Sequence, residues 1–214
     1  MDINVVIGIL LIIISYLLGS IPCGLLIGKL KGKDIRQSGS GNIGTTNAVR
    51  TLGLKLGIVA GICDVLKATL IILLIYLFEH FNIWYNPFVI NGDSLYVLYG
   101  VAAVIGHCYP IYLKFKGGKA VAASLGVLFV TVPWAALAAL IAFLIVMLIN
   151  GIVSLGSTFA TIAAVITAFL VYSENIASCI VLCFLALLIF IKHIPNYKRL
   201  INGTEYSFKK KKKE

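Results

Sequence analysis

The sequence predicts an all-α polytopic membrane protein with seven transmembrane helices, the N-terminus outside and the C-terminus in the cytoplasm. Composition, the spacing of apolar runs and the one-sided placement of basic residues predict it. Of 214 residues, 60% are hydrophobic and 12% charged, and the mean hydropathy of +1.03 is far above that of a soluble domain. No hydrophilic half remains to build one. Residues 1–208 therefore read as a single membrane domain, and 209–214 as a basic, disordered cytoplasmic tail.

A span takes about 20 apolar residues, and the runs fall near 3–28, 56–78, 94–107, 120–132, 134–150, 152–172 and 176–191. The first has no basic n-region before Ile3, so it reads as a retained span and not a cleaved signal. The stretch Ala120 to Asn150 carries no charge and is either one long helix or two around Val132-Pro133-Trp134. Charge decides. With two helices, every one of the 18 lysines and arginines except Lys67 falls on one side, and the other side receives Asp2, Glu79, Asp93 and Glu174. A single helix would carry the five consecutive lysines Lys209 to Lys213 across the membrane. The two short spans, at about 15 residues, cover only about 22 Å of a core of roughly 30 Å, so they are sheltered by other helices or end in a hydrated cavity.

The net charge of +10 thus gathers on one face, where it suits anionic lipid headgroups and not nucleic acid. Cys23, Cys63, Cys108, Cys179 and Cys183 lie in or beside apolar runs without CxxC spacing and read as small buried hydrophobes.

Three polar islands interrupt the hydrocarbon, all on the basic face. The first is Ser38-Gly-Ser-Gly-Asn-Ile-Gly-Thr-Thr-Asn-Ala-Val-Arg50. Its glycines let successive N–H groups turn toward one anion, with Ser40, Asn42, Thr46 and Asn47 adding polar groups. It lacks the G-x-x-x-x-G-K-[ST] of a Walker loop; the plain alternative is a glycine-rich connector. The second is Gly106-His107-Cys108-Tyr109-Pro110, followed by Lys114-Phe115-Lys116-Gly117-Gly118-Lys119. Adjacent glycines between lysines at a helix start suit phosphate, although a basic interfacial turn accounts for the lysines alone. The third runs from Lys192-His193 through Asn196 and Arg199 to Gly203, Thr204 and Glu205. Together the islands suggest a site for anionic substrates. Within the second span, Asp64 and Lys67 stand at i, i+3 and are expected to pair or to line a cavity, because either one buried alone is costly.

These islands, in this order, resemble the acyl-phosphate-dependent glycerol-3-phosphate acyltransferase family of bacterial inner membranes, the family called PlsY. The family's G-S-G-N-x-G-x-T-N-x-x-R is Gly39 to Arg50 here. Its G-H-x-x-P and K-G-G-K are Gly106, His107, Pro110 and Lys116 to Lys119. Its His, Asn, R-L and G-x-E are His193, Asn196, Arg199, Leu200, Gly203 and Glu205. Thr45 stands where alanine is usual, Ala120 where glycine is common, and Ile194 where a basic residue is usual. The resemblance implies a multi-pass inner-membrane enzyme with its site facing the cytoplasm. It would move a fatty acyl group from acyl phosphate to the 1-hydroxyl of sn-glycerol 3-phosphate, the first acylation of phospholipid synthesis. The enzyme that makes acyl phosphate is then an expected partner. Ser40, Arg50, Lys119, His193 and Asn196 are expected to bind glycerol 3-phosphate, the first four as the catalytic set; the Gly41, Asn42, Gly44, Thr46 and Asn47 stretch and Lys116-Gly117-Gly118 are expected to hold the acyl phosphate, and His107 to bind substrate. Glu205, Asp64 and Lys67 are expected to be structural.

The chemistry fits. Acyl phosphate is already activated, so no covalent enzyme nucleophile, cofactor or metal is expected. Other acyltransferases use an H-x-x-x-x-D pair; here Tyr85, Tyr112 and Lys198 stand five residues after His80, His107 and His193. An organic-phosphate transporter would need polar residues through to the far side, whereas Ile83-Trp84-Tyr85-Asn86-Pro87 carries no basic or glycine-rich cluster.

Overall fold

The computed structural model describes residues 2–90 and 93–209; most of the basic tail lies outside the described residues. The chain is helical nearly throughout: α1 (Ile3–Gly19), α2 (Cys23–Leu30), α3 (Thr45–Leu52), α4 (Leu54–His80), α5 (Val97–Cys108), α6 (Val121–Thr131), α7 (Pro133–Asn150), α8 (Val153–Val171) and α9 (Ile176–Ile201). A two-residue antiparallel pair, β1 (Val89–Ile90) with β2 (Asp93–Ser94), sits between α4 and α5.

Outward faces of these helices are hydrocarbon. Leu10, Ile13, Leu70, Leu144, Phe169 and Leu187 are all exposed, and the buried side is dense in small residues such as Ala60, Ala68, Ala103, Ala123, Ala136 and Ala164. That inversion of a soluble protein is how helices pack in lipid, where close backbone approach replaces hydrophobic collapse. α4, α7, α8 and α9 are each long and apolar enough to cross a membrane.

The first expected span corrects to two helices. α1 and α2 are bent by 41° at a short break, because Pro22 lacks a backbone donor and cannot continue the ladder; together they make a fifth candidate span. α5 and α6, at 12 and 11 residues, cover only about 18 Å and 16 Å at 1.5 Å per residue. The stretch 120–150 forms two helices, with Pro133 opening the second. A further correction concerns the third island, placed after the last span by the sequence reading: α9 runs on through His193, Asn196 and Arg199, with Pro195 inside it. The cysteine expectation holds for Cys108 and Cys179, which are buried, and not for Cys183, which is exposed.

The chain divides into two compact units, up to Thr131 and from Val132 onward. In the first, α4 is the hub, packed by α1, α2, α3, α5 and α6. In the second, α8 lies between α7 and α9. The segment after α9 folds back, so that Phe208 N donates to Gly151 O at 2.9 Å and Ser207 Oγ to Asn150 O at 2.7 Å.

Candidate active site

The first island is a loop shaped by one side chain. Asn47, almost fully buried, accepts from Ser40 N at 2.8 Å and donates to Ile35 O at 2.6 Å and Asn42 O at 2.8 Å. Asn42 Oδ1 accepts from Gly44 N at 2.8 Å. Gly39 adopts φ +62°, and a Cβ there would meet Asn47 Oδ1 at 2.3 Å, so glycine is required by conformation and by space. The result exposes Ser40 and leads into α3, whose first N–H groups Thr45 and Thr46 point out of the helix start. Arg50 lies on the same short helix, one turn beyond Asn47.

The second island sits on α5 and the turn after it. Gly118 N donates to His107 O at 2.9 Å. A Cβ on Gly118 would come within 1.9 Å of His107 Nε2, and one on Gly117 within 2.3 Å of both His107 O and Pro110 Cδ. The glycines are bare because they lie directly on the His107–Pro110 segment. Lys116 is exposed and Lys119 half-buried at either end of this turn. Ala120 closes it at φ +74°, fully buried.

One stripe of α4 joins these two islands. A Cβ on Gly57 would strike the Val49 backbone, and one on Gly61 the Thr45 side chain, both in α3. One turn on, Asp64, 2% exposed, pairs with Lys67 Nζ at 2.9 Å and lies 3.5 Å from His107 Nδ1. Lys67 Nζ also donates to Ile21 O at 2.9 Å and faces His107 Nδ1 at 3.0 Å. The expected Asp64–Lys67 pair is therefore there, with a third member the sequence reading assigned to substrate. Polar accounting would have found it: a buried ammonium has three donors and a carboxylate about four acceptor sites, more than one pair can satisfy.

The third island belongs to the second unit. His193 and Asn196, at i, i+3, share the buried face of α9. His193 Nδ1 lies 2.8 Å from Ile189 O; a carbonyl only accepts, so Nδ1 carries the proton, and in the neutral ring Nε2 is the acceptor. Glu205 Oε1 accepts from Asn196 Nδ2 at 2.8 Å and Ser154 Oγ at 3.1 Å, and Oε2 from Arg199 Nε at 2.7 Å. Burial alone would raise the Glu205 carboxyl, but the hydrogen bonds from Asn196, Arg199 and Ser154 and the guanidinium charge outweigh it and hold it below the usual range. Thr158 Oγ1 and Tyr197 Oη are 2.9 Å apart beside His193. Ser154 and Thr158 carry no sequence signal, since each is an ordinary small residue in an apolar run.

Helices with hydrocarbon outer faces and a buried side of small residues define an integral membrane protein. The glycerol-3-phosphate acyltransferase family model matches residues 9–203. The glycerol-3-phosphate acyltransferase of Bacillus subtilis (strain 168) is 45% identical over 197 residues, covering 92% of this chain and 95% of that one. Crystal structures of PlsY (YgiH), an integral membrane glycerol 3-phosphate acyltransferase, match with TM-scores of 0.83 for the glycerol 3-phosphate form and 0.81 for the lysophosphatidic acid form. Each is 37% identical and covers 94% of this chain and 95% of that chain. The chain belongs to the glycerol-3-phosphate acyltransferase family.

Proposed function

We propose that this protein transfers a fatty acyl group from acyl phosphate to the 1-hydroxyl of sn-glycerol 3-phosphate, without a covalent acyl-enzyme. The bond between the acyl carbon and the phosphate oxygen breaks as the new ester bond forms. Lysophosphatidic acid and inorganic phosphate leave. The observation that carries this reading is the family match over nearly the whole chain, which takes in the first two islands and the third as far as Gly203. The pre-activated donor fits a sequence with no aspartate five residues after any histidine.

Ser40, Arg50, Lys119, His193 and Asn196 hold glycerol 3-phosphate in this reading. The Gly41–Asn47 loop (Gly41, Asn42, Gly44, Thr46, Asn47) and Lys116-Gly117-Gly118 hold the acyl phosphate, with His107 supporting the second loop from below. Asn47 and the glycines act by shaping backbone, since the Asn47 amide is occupied by that loop. Positive charge and N–H groups oppose the charge that builds on the carbonyl oxygen and the leaving phosphate. The hydroxyl proton passes to the leaving phosphate or to His193, whose Nε2 is the acceptor nitrogen. Glu205 holds Asn196 and Arg199 in place.

The chain crosses the membrane of a bacterial cell seven times in this reading, with α5 and α6 as the two short crossings, the N-terminus outside and the C-terminus inside. All basic residues but Lys67 then meet the cytoplasm, where the acyl-phosphate-producing enzyme works. The test uses purified protein with labelled glycerol 3-phosphate and, in parallel, palmitoyl phosphate, palmitoyl-CoA or palmitoyl-acyl carrier protein. Labelled lysophosphatidic acid from the acyl phosphate alone is the expected result; product from a thioester would overturn the donor assignment.

A further inference from the structure

Asp64, Lys67 and His107 are buried titratable groups to which acyl transfer gives no direct task. Their geometry gives them one. An ammonium has donors and no acceptor; Lys67 Nζ donates to Ile21 O at 2.9 Å, faces His107 Nδ1 at 3.0 Å and forms an ion pair with Asp64 Oδ1 at 2.9 Å. A donor-only group at 3.0 Å makes Nδ1 the acceptor, so the ring proton sits on Nε2. Asp64 and Lys67 already cancel each other, and a third charge beside them would be uncompensated where water is excluded. Nδ1 as acceptor is the form of the ring that fits beside this pair. Its Nε2 lies where a Gly118 Cβ would come within 1.9 Å, and its own backbone carbonyl receives Gly118 N at 2.9 Å.

We propose that Asp64 and Lys67 are positioning residues that lock His107 as the Nε2–H tautomer beneath the Gly117–Gly118 turn, setting the shape in which Lys116–Lys119 binds a substrate phosphate. Lys67 supplies the donor that excludes a proton from Nδ1. Asp64 holds the Lys67 ammonium in place as its ion-pair partner. Because Lys67 also ties to Ile21 at the α1–α2 break, the same ammonium anchors three helical segments around the turn. The proposal rests on the reading of Lys116–Lys119 as a substrate loop.

The test is nitrogen-15 solid-state NMR of histidine-labelled protein in lipid nanodiscs, with His107 assigned by its loss in His107→Gln, alongside steady-state kinetics. Wild type is expected to show His107 with a bare Nδ1 and a protonated Nε2. In Lys67→Met, Nδ1 is expected to gain a proton and turn to the Asp64 carboxylate. KM for one of the two phosphate substrates should rise on the order of tenfold, as when a partner orienting a ligand-holding histidine is lost, with a smaller change in kcat. A protonated Nδ1 in wild type overturns the proposal and needs no variant, so it decides even if Lys67→Met does not fold. A folded Lys67→Met with wild-type tautomer and both KM values unchanged overturns it equally. Unchanged KM values in Lys116→Ala and Lys119→Ala, with the expected tautomer, would instead overturn the substrate reading of the loop and leave the tautomer assignment standing.

Discussion

His107 in the first unit and His193 in the second lie equally far from water, at 4% and 3% exposure, yet their neighbours assign their nitrogens in opposite senses. Nδ1 of His107 faces an ammonium and must accept; Nδ1 of His193 faces a carbonyl and must donate. The Nε2 atoms are therefore a donor in one ring and an acceptor in the other. In the proposed reaction, the second is the one that offers an acceptor nitrogen to the attacking hydroxyl. The first lies against a glycine turn, whose Gly118 N donates to the histidine's own carbonyl. What a buried histidine does is decided by the group on its far nitrogen, and neither burial nor residue type reveals it.

Substitutions can break this division at graded cost. The largest stability effect is expected for Gly118→Ala, whose methyl would overlap a ring that Lys67 keeps from moving. Overpacking of this kind costs about 1–3 kcal/mol or more, read as a lowered unfolding temperature in one detergent. Adding His107→Ala to Gly118→Ala should recover part of the loss; no recovery would mean the clash is not with this ring.

Glu205→Gln comes next. It keeps the shape of the side chain and removes the charge that Arg199 and Asn196 meet, for a loss of roughly 1–2 kcal/mol at neutral pH, the half-exposed Arg199 weakening the ion-pair share. The pH dependence has a definite sign. Folding depresses this carboxyl from an ordinary value of 4.5, so its stabilisation is complete above that value and fades as pH falls through the lower, folded value. Stability measured from neutral pH downward should show that loss in wild type, and a shallower loss in Glu205→Gln.

The smallest effect is a gain. Ala120 holds φ +74° at the end of the second turn, a left-handed conformation costing a residue with a Cβ about 1 kcal/mol relative to glycine. Ala120→Gly should raise the unfolding temperature slightly, in the opposite sense to Gly118→Ala two residues away. A drop would mean that burial of the methyl outweighs the backbone strain.

Much of the fold was legible because lipid imposes simple rules. Seven apolar runs all became helix, and Pro133 split the uncharged stretch where a proline should. The bend between α1 and α2 was not seen, because a run that stays apolar through Ile21-Pro22 hides a break in hydropathy. The helical third island was missed for the reverse reason: polar residues after an apolar run read as the end of a span, whereas α9 simply continues past it. At the site, Asp64 and Lys67 were paired by helical spacing, but His107 lies 40 positions from Lys67, and only tertiary packing brings them together. Gly117-Gly118 shows the limit most clearly. Bare backbone read as a phosphate cradle, and the same bareness is demanded by the histidine beneath it.

The division of labour between the two histidines is tested most directly by initial rates of His193→Gln and His107→Gln at varied palmitoyl phosphate and glycerol 3-phosphate, on protein shown to be folded. The account predicts that His193→Gln loses kcat by about a hundredfold or more, and that His107→Gln keeps kcat within roughly tenfold while a KM and the unfolding temperature change. A kcat lost in His107→Gln and preserved in His193→Gln would contradict it.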